Sequence, residues 1–466
     1  MTTQAAVQPV TASGGAQAGG RPAAYATLWR WHFYAGLFCL PFILWLPVTG
    51  AIYLFKPQIE QWLDRPFDDV GVNGPAAAPS MQVAAALAAV PGTVLHSYVL
   101  PGTPQAAVQI RVGRGRELHR VYVHPQSTAV LKVEREDLRP MRLLFHLHGE
   151  LLLGSAGSML VETAASWAIV MIVTGLYLWW PRGNGVAGTL YPRLTRGGRI
   201  FWRDLHAVTG LWVSLFVLFL LVSGLPWAKF WGGTLKELRQ LGSATIVRLD
   251  WTTGRTSELA ERAERNTPAA HAAHTSNGGA SAVDYAALDH IVPIVAPMHM
   301  ASPALISPPS QRHPAWTARS DHPNRMLNET LTLDGTTGAV KSRRAFADMP
   351  LIDRVIGIAV SAHEGQLFGW PNQLLGLLTA VGLVVMAISA IVMWWRRRSP
   401  GTLGAPAADS GSRTPVGLAT TGCALAFLLP LFGLSALAII LLERTVLWRF
   451  AGASRFLGLE TRGASA

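Results

Sequence analysis

The stretch FWRDLHAVTGLWVSLFVLFLLVSG, residues 201–224, decides the fold, because its key positions occur twice in the chain. His206, Gly210 and Gly224 recur as His32, Gly36 and Gly50, four and eighteen residues apart in both copies, and a Trp-Arg pair precedes each histidine. A second histidine repeats in the same way. His148 is followed by Gly154 after six residues and by Trp179-Trp180 after thirty-one and thirty-two; His363 stands at those distances from Gly369 and Trp394-Trp395. Between the two histidines of each copy lies a hairpin-like run, VYVHPQSTAVL at 121–131 and LTLDGTTGAVK at 331–341. The order histidine-span, soluble module, histidine-span therefore occurs twice, an internal duplication with four histidines at equivalent points.

Half of the 466 residues are hydrophobic, 14% are charged and 17 are Trp, which places the chain outside ordinary soluble domains. Crossing about 30 Å of hydrocarbon takes roughly 20 apolar residues. Runs at about 33–55, 159–180, 207–228, 373–395 and 416–442 are long enough, and the first four belong to the duplication. Lys and Arg stay on the cytoplasmic side of short connections. The 181–206 connection carries Arg182, Arg193, Arg196, Arg199 and Arg203, and the 396–415 connection opens with Arg396, Arg397 and Arg398. Both connections are thus expected inside, with the N-terminus cytoplasmic and segments 56–158 and 229–372 on the outer, periplasmic face. The fifth span would then leave the tail 443–466 outside, against which Arg444, Arg449 and Arg455 argue mildly.

The net charge of +12 follows from Arg clusters that flank spans, so no nucleic-acid partner is expected. Cys39 and Cys423 both fall within spans and cannot build a disulfide framework. Residues 1–24 lack large apolar side chains and read as a disordered cytoplasmic tail; the first span, within 25–55, reads as an uncleaved anchor. The first outer segment has a helical pattern near Met81–Val90 and then alternating runs, a helix-plus-antiparallel-sheet module. The second ends comparably at Asn328–Arg343, after an Ala-, Pro-, Ser- and His-rich insertion at about 255–330.

One helix from His148 to Trp180 would be about 48 Å long, too long for the membrane. The chain is expected to break at Gly154 and Gly157 in one copy and at Gly369, Pro371 and Asn372 in the other. His148 and His363 then lie on short segments against the outer interface, while His32 and His206 begin spans from the inner side. A single histidine beside hydrocarbon is commonly an interfacial group bonded to lipid or backbone. Four at duplicated positions favour another reading, in which two repeats packed about a twofold axis along the membrane normal bring like histidines face to face. That is the geometry for two bis-histidine haems of b type, the inner on His32 and His206, the outer on His148 and His363. Gly36 and Gly210, four residues after the inner histidines, share their helical face and leave room for a flat macrocycle. His146 competes with His148, and the repeat spacing favours His148.

Weaker candidates are Met298-His299-Met300, a soft-ligand triplet read as chance; the run His271, His274, His290, His313, His322, read as loop; and Glu162, read as a helix-start carboxylate. Trp179-Trp180 and Trp394-Trp395 read as an aromatic belt. No nucleotide-binding glycine fingerprint follows a strand, so an electron donor must be a separate cytoplasmic molecule or a quinol.

RWHFYAGLF at 30–38, LHGELLLG at 147–154, TGLYLWWPR at 174–182, WRDLHAVTGLW at 202–212, HEGQLFG at 363–369 and the pair Trp394-Trp395 together resemble the PepSY-associated transmembrane family, iron-regulated inner-membrane proteins that include ferric-siderophore reductases. The resemblance covers most of residues 25–400. It implies an α-helical, internally duplicated integral protein of the bacterial inner membrane, with a four-span core plus a fifth span and two periplasmic α+β PepSY-like modules. For the reductase members it implies haem between spans and electrons passed outward to a ferric siderophore or other Fe(III) chelate. The alternative is a non-catalytic PepSY membrane protein that binds or restrains a periplasmic partner such as a protease.

Overall fold

The computed structural model describes residues 23–115, 117–181, 186–242, 283–310, 314–406 and 416–459. Four helices are long and apolar enough to cross a membrane: α1 (Ala23–Tyr53), α5 (Gly154–Trp179), α6 (Gly198–Gly224) and α10 (Trp370–Arg397). α1 borders α5 and α10, and α6 borders the same two, so the four close into a ring with α1 and α6 on one diagonal. Small residues allow the close approaches: a side chain at Gly376 would stand 2.9 Å from Leu54, and one at Gly382 would stand 2.6 Å from Val213.

The helix boundaries differ from the apolar runs. α5 begins at Gly154 rather than 159, and α6 begins at Gly198, so the last third of the expected 181–206 connection is helix and His206 lies in its third turn. Hydropathy sees only the apolar part of a helix, whereas the backbone ladder continues through Arg199 and Arg203. Of the expected break points, Gly154 and Gly369 stand at helix starts, whereas Gly157 lies inside α5 and Pro371 and Asn372 lie inside α10. Helix α4 (Pro140–Glu150) stops at Leu151 and Leu152, both with positive φ, ahead of Gly154. Helix α9 (Leu351–His363) stops before Gly365 and Gly369, at φ +74° and +65°.

The apolar run 416–442 is not a fifth crossing. It forms α11 (Val416–Leu428) and α12 (Pro430–Thr445), separated at Leu429 because Pro430 offers no amide to continue the first helix. α12 packs on α5, where Trp167 meets Phe432 edge-on at 4.8 Å and donates to Ser435 Oγ at 2.9 Å. The chain then returns to the start of α1 through α13 (Ala451–Leu457). Arg30 donates to the carbonyls of both Pro406 and Gly458, at 3.2 and 2.6 Å. The two ends of this segment therefore sit together, and Arg444, Arg449 and Arg455 belong to a chain that has turned back.

The sequence predicts two separate α+β modules, but the strands of segments 56–158 and 229–372 join one antiparallel sheet, ordered β4-β3-β2-β1-β5-β6-β7-β8. β1 (Val94–Val99), β2 (Val108–Arg114), β3 (Glu117–Val123) and β4 (Val130–Arg135) come from the first segment. β5 (Ala304–Ser307), β6 (Trp316–Ser320), β7 (Glu329–Leu333) and β8 (Val340–Ala345) come from the second. The seam pairs Tyr98 with Ile306 and Val99 with Leu305. One sheet face buries Val108, Ile110, Ala318 and Leu331 under α3 (Pro79–Ala89) and α8 (Ala287–Val295). Ser80 of α3 donates from its amide and hydroxyl to Asp289 of α8, at 2.8 and 2.7 Å. Residues 243–282, with His271 and His274, and His313 lie outside the described residues. His290 is in helix α8 rather than loop.

The other sheet face looks toward the membrane helices and is fixed by buried ions. Arg120 reaches Glu136 at 2.7 Å and Asp64 at 3.1 Å; Arg139 holds Asp64 at 2.9 Å and also binds Glu60 and Glu134. This ties α2 (Lys56–Asp64) and strand β3 to the first turn of α4, the helix that carries His148. Burial alone would raise the Glu136 carboxyl, but Arg111 and Arg120 outweigh it and hold it well below the usual range. A depressed folded value contributes stability above the unfolded value of about 4.3, and that stability is lost as pH falls through the folded value. Thermal stability should therefore drop on acidification from about pH 6 to pH 3, and more shallowly in Glu136→Gln; parallel slopes would exclude Glu136 as the source.

Candidate functional site

The ring of α1, α5, α6 and α10 encloses a cavity of about 1450 Å³, and His32, His148, His206 and His363 all line it. Small-molecule sites are typically about 300–1,000 Å³, so this space exceeds one ordinary ligand. α1 carries His32, and α4, resting on α1, carries His148; α6 carries His206, and α9, resting on α6, carries His363. Each histidine pair is thus split across the α1–α6 diagonal. His32 is within electrostatic reach of His206. The cavity end away from the sheet is lined by Arg199, Arg396 and Arg397, and the guanidinium of Arg397 lies 5.2 Å from the Trp29 ring.

All four rings are held in one way, by Nδ1. The Thr49 hydroxyl lies 3.1 Å from the carbonyls of Trp45 and Leu46, which take its proton, so its lone pairs accept from His148 Nδ1–H at 2.8 Å. Ser223, whose proton goes to Phe219 O at 2.7 Å, accepts from His363 Nδ1–H at 2.8 Å. Thr174 accepts from His32 Nδ1–H at 3.1 Å, and its own proton goes to Val170 O at 2.9 Å. The Met386 carbonyl accepts from His206 Nδ1–H at 3.0 Å, with Ser389 Oγ at 3.4 Å. Among the described residues, Nε2 of His32, His206 and His363 makes no hydrogen bond. A neutral imidazole with Nδ1–H fixed presents its lone pair at Nε2, which is what a metal ligand requires.

These hydroxyls escaped the sequence reading although a signal was present. Thr49 and Ser223 stand seventeen residues after His32 and His206, and Thr174 and Ser389 stand twenty-six after His148 and His363. Gly50 and Gly224 give the His148 and His363 rings their room: an added Cβ would lie 3.2 Å from His148 Cε1 and 3.5 Å from His363 Cε1. Gly36 and Gly210 do line the cavity, but their nearest neighbours are thioethers, Met171 Sδ at 3.7 Å and Met386 Sδ at 3.1 Å from an added Cβ.

The competing residues fall elsewhere. His146 bonds Glu150 at 3.0 Å, one turn away on α4, while His148 takes the cavity position. Glu162 lies nine residues into α5 and is buried; its carboxylate accepts from the amides of Phe230 and Trp231, at 2.9 and 3.0 Å. It caps the start of α7 (Lys229–Gly242) rather than that of its own helix. Met300 is in the sheet core and Met298 is exposed, so the Met-His-Met triplet does not converge. Trp180 and Trp395 are exposed, while Trp179 and Trp394 donate to the carbonyls of Thr189 and Leu403, at 3.1 and 2.8 Å.

A ring of apolar helices around a histidine-lined cavity defines a multi-pass membrane protein with a site inside the bundle. The family described as PepSY-associated TM region matches residues 29–397, most of the chain, and the protein belongs to that family. No curated protein matches the chain.

Proposed function

We propose that this protein is a di-haem oxidoreductase of the bacterial inner membrane that reduces a periplasmic ferric chelate in iron uptake. The observation that carries the reading is the common posture of four imidazoles around one cavity, each tied at Nδ1. Among the described residues no three His, Cys, Asp or Glu side chains gather at one point. Two facing imidazoles therefore suit a metal that brings its other ligands, and a porphyrin brings four. His32 and His206 would hold the inner group, His148 and His363 the outer.

Iron held by two imidazoles has no open coordination site and supplies one-electron transfer. Thr49, Ser223, Thr174 and the Met386 carbonyl fix the tautomer and the ring planes. The apolar helix faces exclude water. The tendency of short, Arg-rich connections to stay cytoplasmic supports an inner position for the end bearing Arg199 and Arg397, with the sheet on the periplasmic side. The internal duplication explains why each ring contact has a counterpart at the same offset. The electron donor is a separate molecule, cytoplasmic or a quinol. A ferric chelate that gains one electron becomes ferrous, and hard oxygen ligands hold the softer, less charged ion more weakly.

An absorbance spectrum of the detergent-purified protein tests this. A Soret band that shifts with dithionite and shifts back on adding a ferric siderophore is expected. A colourless protein would leave the partner-binding alternative instead. A finer test is Ser223→Ala, which removes the acceptor for His363 Nδ1–H. Loss of such an outer contact costs about 10–100-fold in metal affinity. Haem titration should show one of two sites weakened by that factor; two unaltered sites would exclude an orienting role for Ser223.

A further inference from the structure

Between the sheet and the end of the cavity marked by His148 and His363 lies a recess with more cations than acids. In β2, Val108, Ile110 and Val112 enter the core under α3, so Arg111 points to the opposite face; in β6, Trp316 and Ala318 enter the core and Arg319 takes that same face. Arg111 pairs across to Ser97 of β1, and Arg319 pairs across to Leu305 of β5. The two arginines thus flank the β1–β5 seam, one from each side. Opposite them stand Lys56 at the start of α2, Arg142 on α4 and Arg325 ahead of β7. Lys56 is exposed and interacts with Tyr53, Glu364, Asp321 and Arg142, so its charge acts on the space between the sheet and the helices. Tyr53 and Glu364 also line the histidine cavity, so the recess adjoins it.

The acids are already engaged. Asp321 lies 3.6 Å from Arg319, Glu364 lies 3.3 Å from Arg325, and Glu136 lies 2.7 Å from Arg120. Burial would raise the Asp321 carboxyl, but Arg319, Arg111, Lys56 and Arg325 outweigh it and keep it below the ordinary range. Among the described residues neither Lys56 nor Arg111 forms an ion pair, and Arg111 Nε is buried without a hydrogen-bond partner. Glu136 and Asp321 offset part of the Arg111 charge, yet a buried N–H without an acceptor remains costly unless an anion completes it.

We propose that this recess binds a carboxylate-rich anionic ligand, with Arg111 and Lys56 as its carboxylate-binding residues. The planar fork of Arg111 suits a carboxylate held by two parallel N–H bonds, and Lys56 adds a point charge. Naming the ligand as the reducible cargo, a ferric hydroxycarboxylate chelate, rests on the proposed function; the anion site itself does not. A carboxylate complex is thereby preferred over a neutral hydroxamate complex of the same metal.

Calorimetric titration of the full-length protein with gallium(III) citrate tests the site without redox chemistry. Binding is expected, weakening as salt is raised, and falling about tenfold or more in both Arg111→Gln and Lys56→Gln. A gallium trihydroxamate complex of zero charge should bind more weakly than the citrate complex. If Arg111→Gln does not fold, Lys56→Gln on the exposed start of α2 carries the test. Absence of binding, or equal binding in the variants and the parent, overturns the proposal. A colourless protein that still binds gallium citrate through Arg111 would sink the haem reading and keep the anion site; a haem-bearing protein indifferent to gallium citrate would do the reverse.

Discussion

Protein carrying His363→Ala, purified in detergent, is expected to hold about half the haem of the parent, and His206→Ala should do the same. The two residues lie on different helices, one in α6 and one ending α9, yet each would supply one of the two imidazoles that would hold the group at its own site. Removing one imidazole leaves a bis-histidine site with a single ligand and no nearby replacement of the same kind. His363 sits beside Ser223 and against the Trp227 ring, 5.6 Å between centroids, in a pocket that its loss would vacate. Free imidazole added to His363→Gly should then restore part of the lost absorbance, an effect that general misfolding would not produce. Full haem content in both alanine variants would remove the assignment, and with it the route between the two faces of the membrane.

The largest stability effect should come from a residue that touches no histidine. A Cβ placed on Gly157 would overlap the carbonyl oxygen of Glu150, a backbone atom. No rotamer can relieve that overlap, so Gly157→Ala must pull the second turn of α5 away from the end of α4. The cost should lie at or beyond the ~3 kcal/mol upper end of ordinary overpacking. His148 stands two residues before Glu150, so haem on the outer site should be lost together with stability. Gly210→Ala is the contrast: its added Cβ would meet only the flexible Met386 thioether, at 3.1 Å, and a mild effect is expected. Fluorescence-detected size exclusion after a heating series separates the two. Equal melting of Gly157→Ala and the parent would mean that the α4–α5 corner is not packed as described.

The helix breaks at Gly154 and Gly369 were legible because each is written in a local residue that takes positive φ, where glycine has no steric cost. The turn at Leu429-Pro430 carried an equally local signal, yet a long apolar run masked it. Hydropathy averages over a window and cannot register one missing amide. The His148 position over His146 was also legible, since only one of the two keeps its distance to Gly154 and Trp179-Trp180. The hydroxyls were harder. Thr49 and Ser223 are unremarkable in an apolar helix, where a hydroxyl commonly bonds its own preceding carbonyl, as both do here.

The sequence by itself determined the membrane class, the four duplicated apolar spans and the four histidines with their equal offsets, because hydrophobic length and residue spacing are properties of the chain read locally. Only the tertiary structure decided that the strands of two segments some two hundred residues apart share one sheet. A strand edge is the same row of amides and carbonyls whatever its partner. It likewise decided that Arg111 and Arg319 face one recess and that every imidazole is tethered at Nδ1. Those facts depend on which helices and strands pack together, and no single stretch of chain carries that choice.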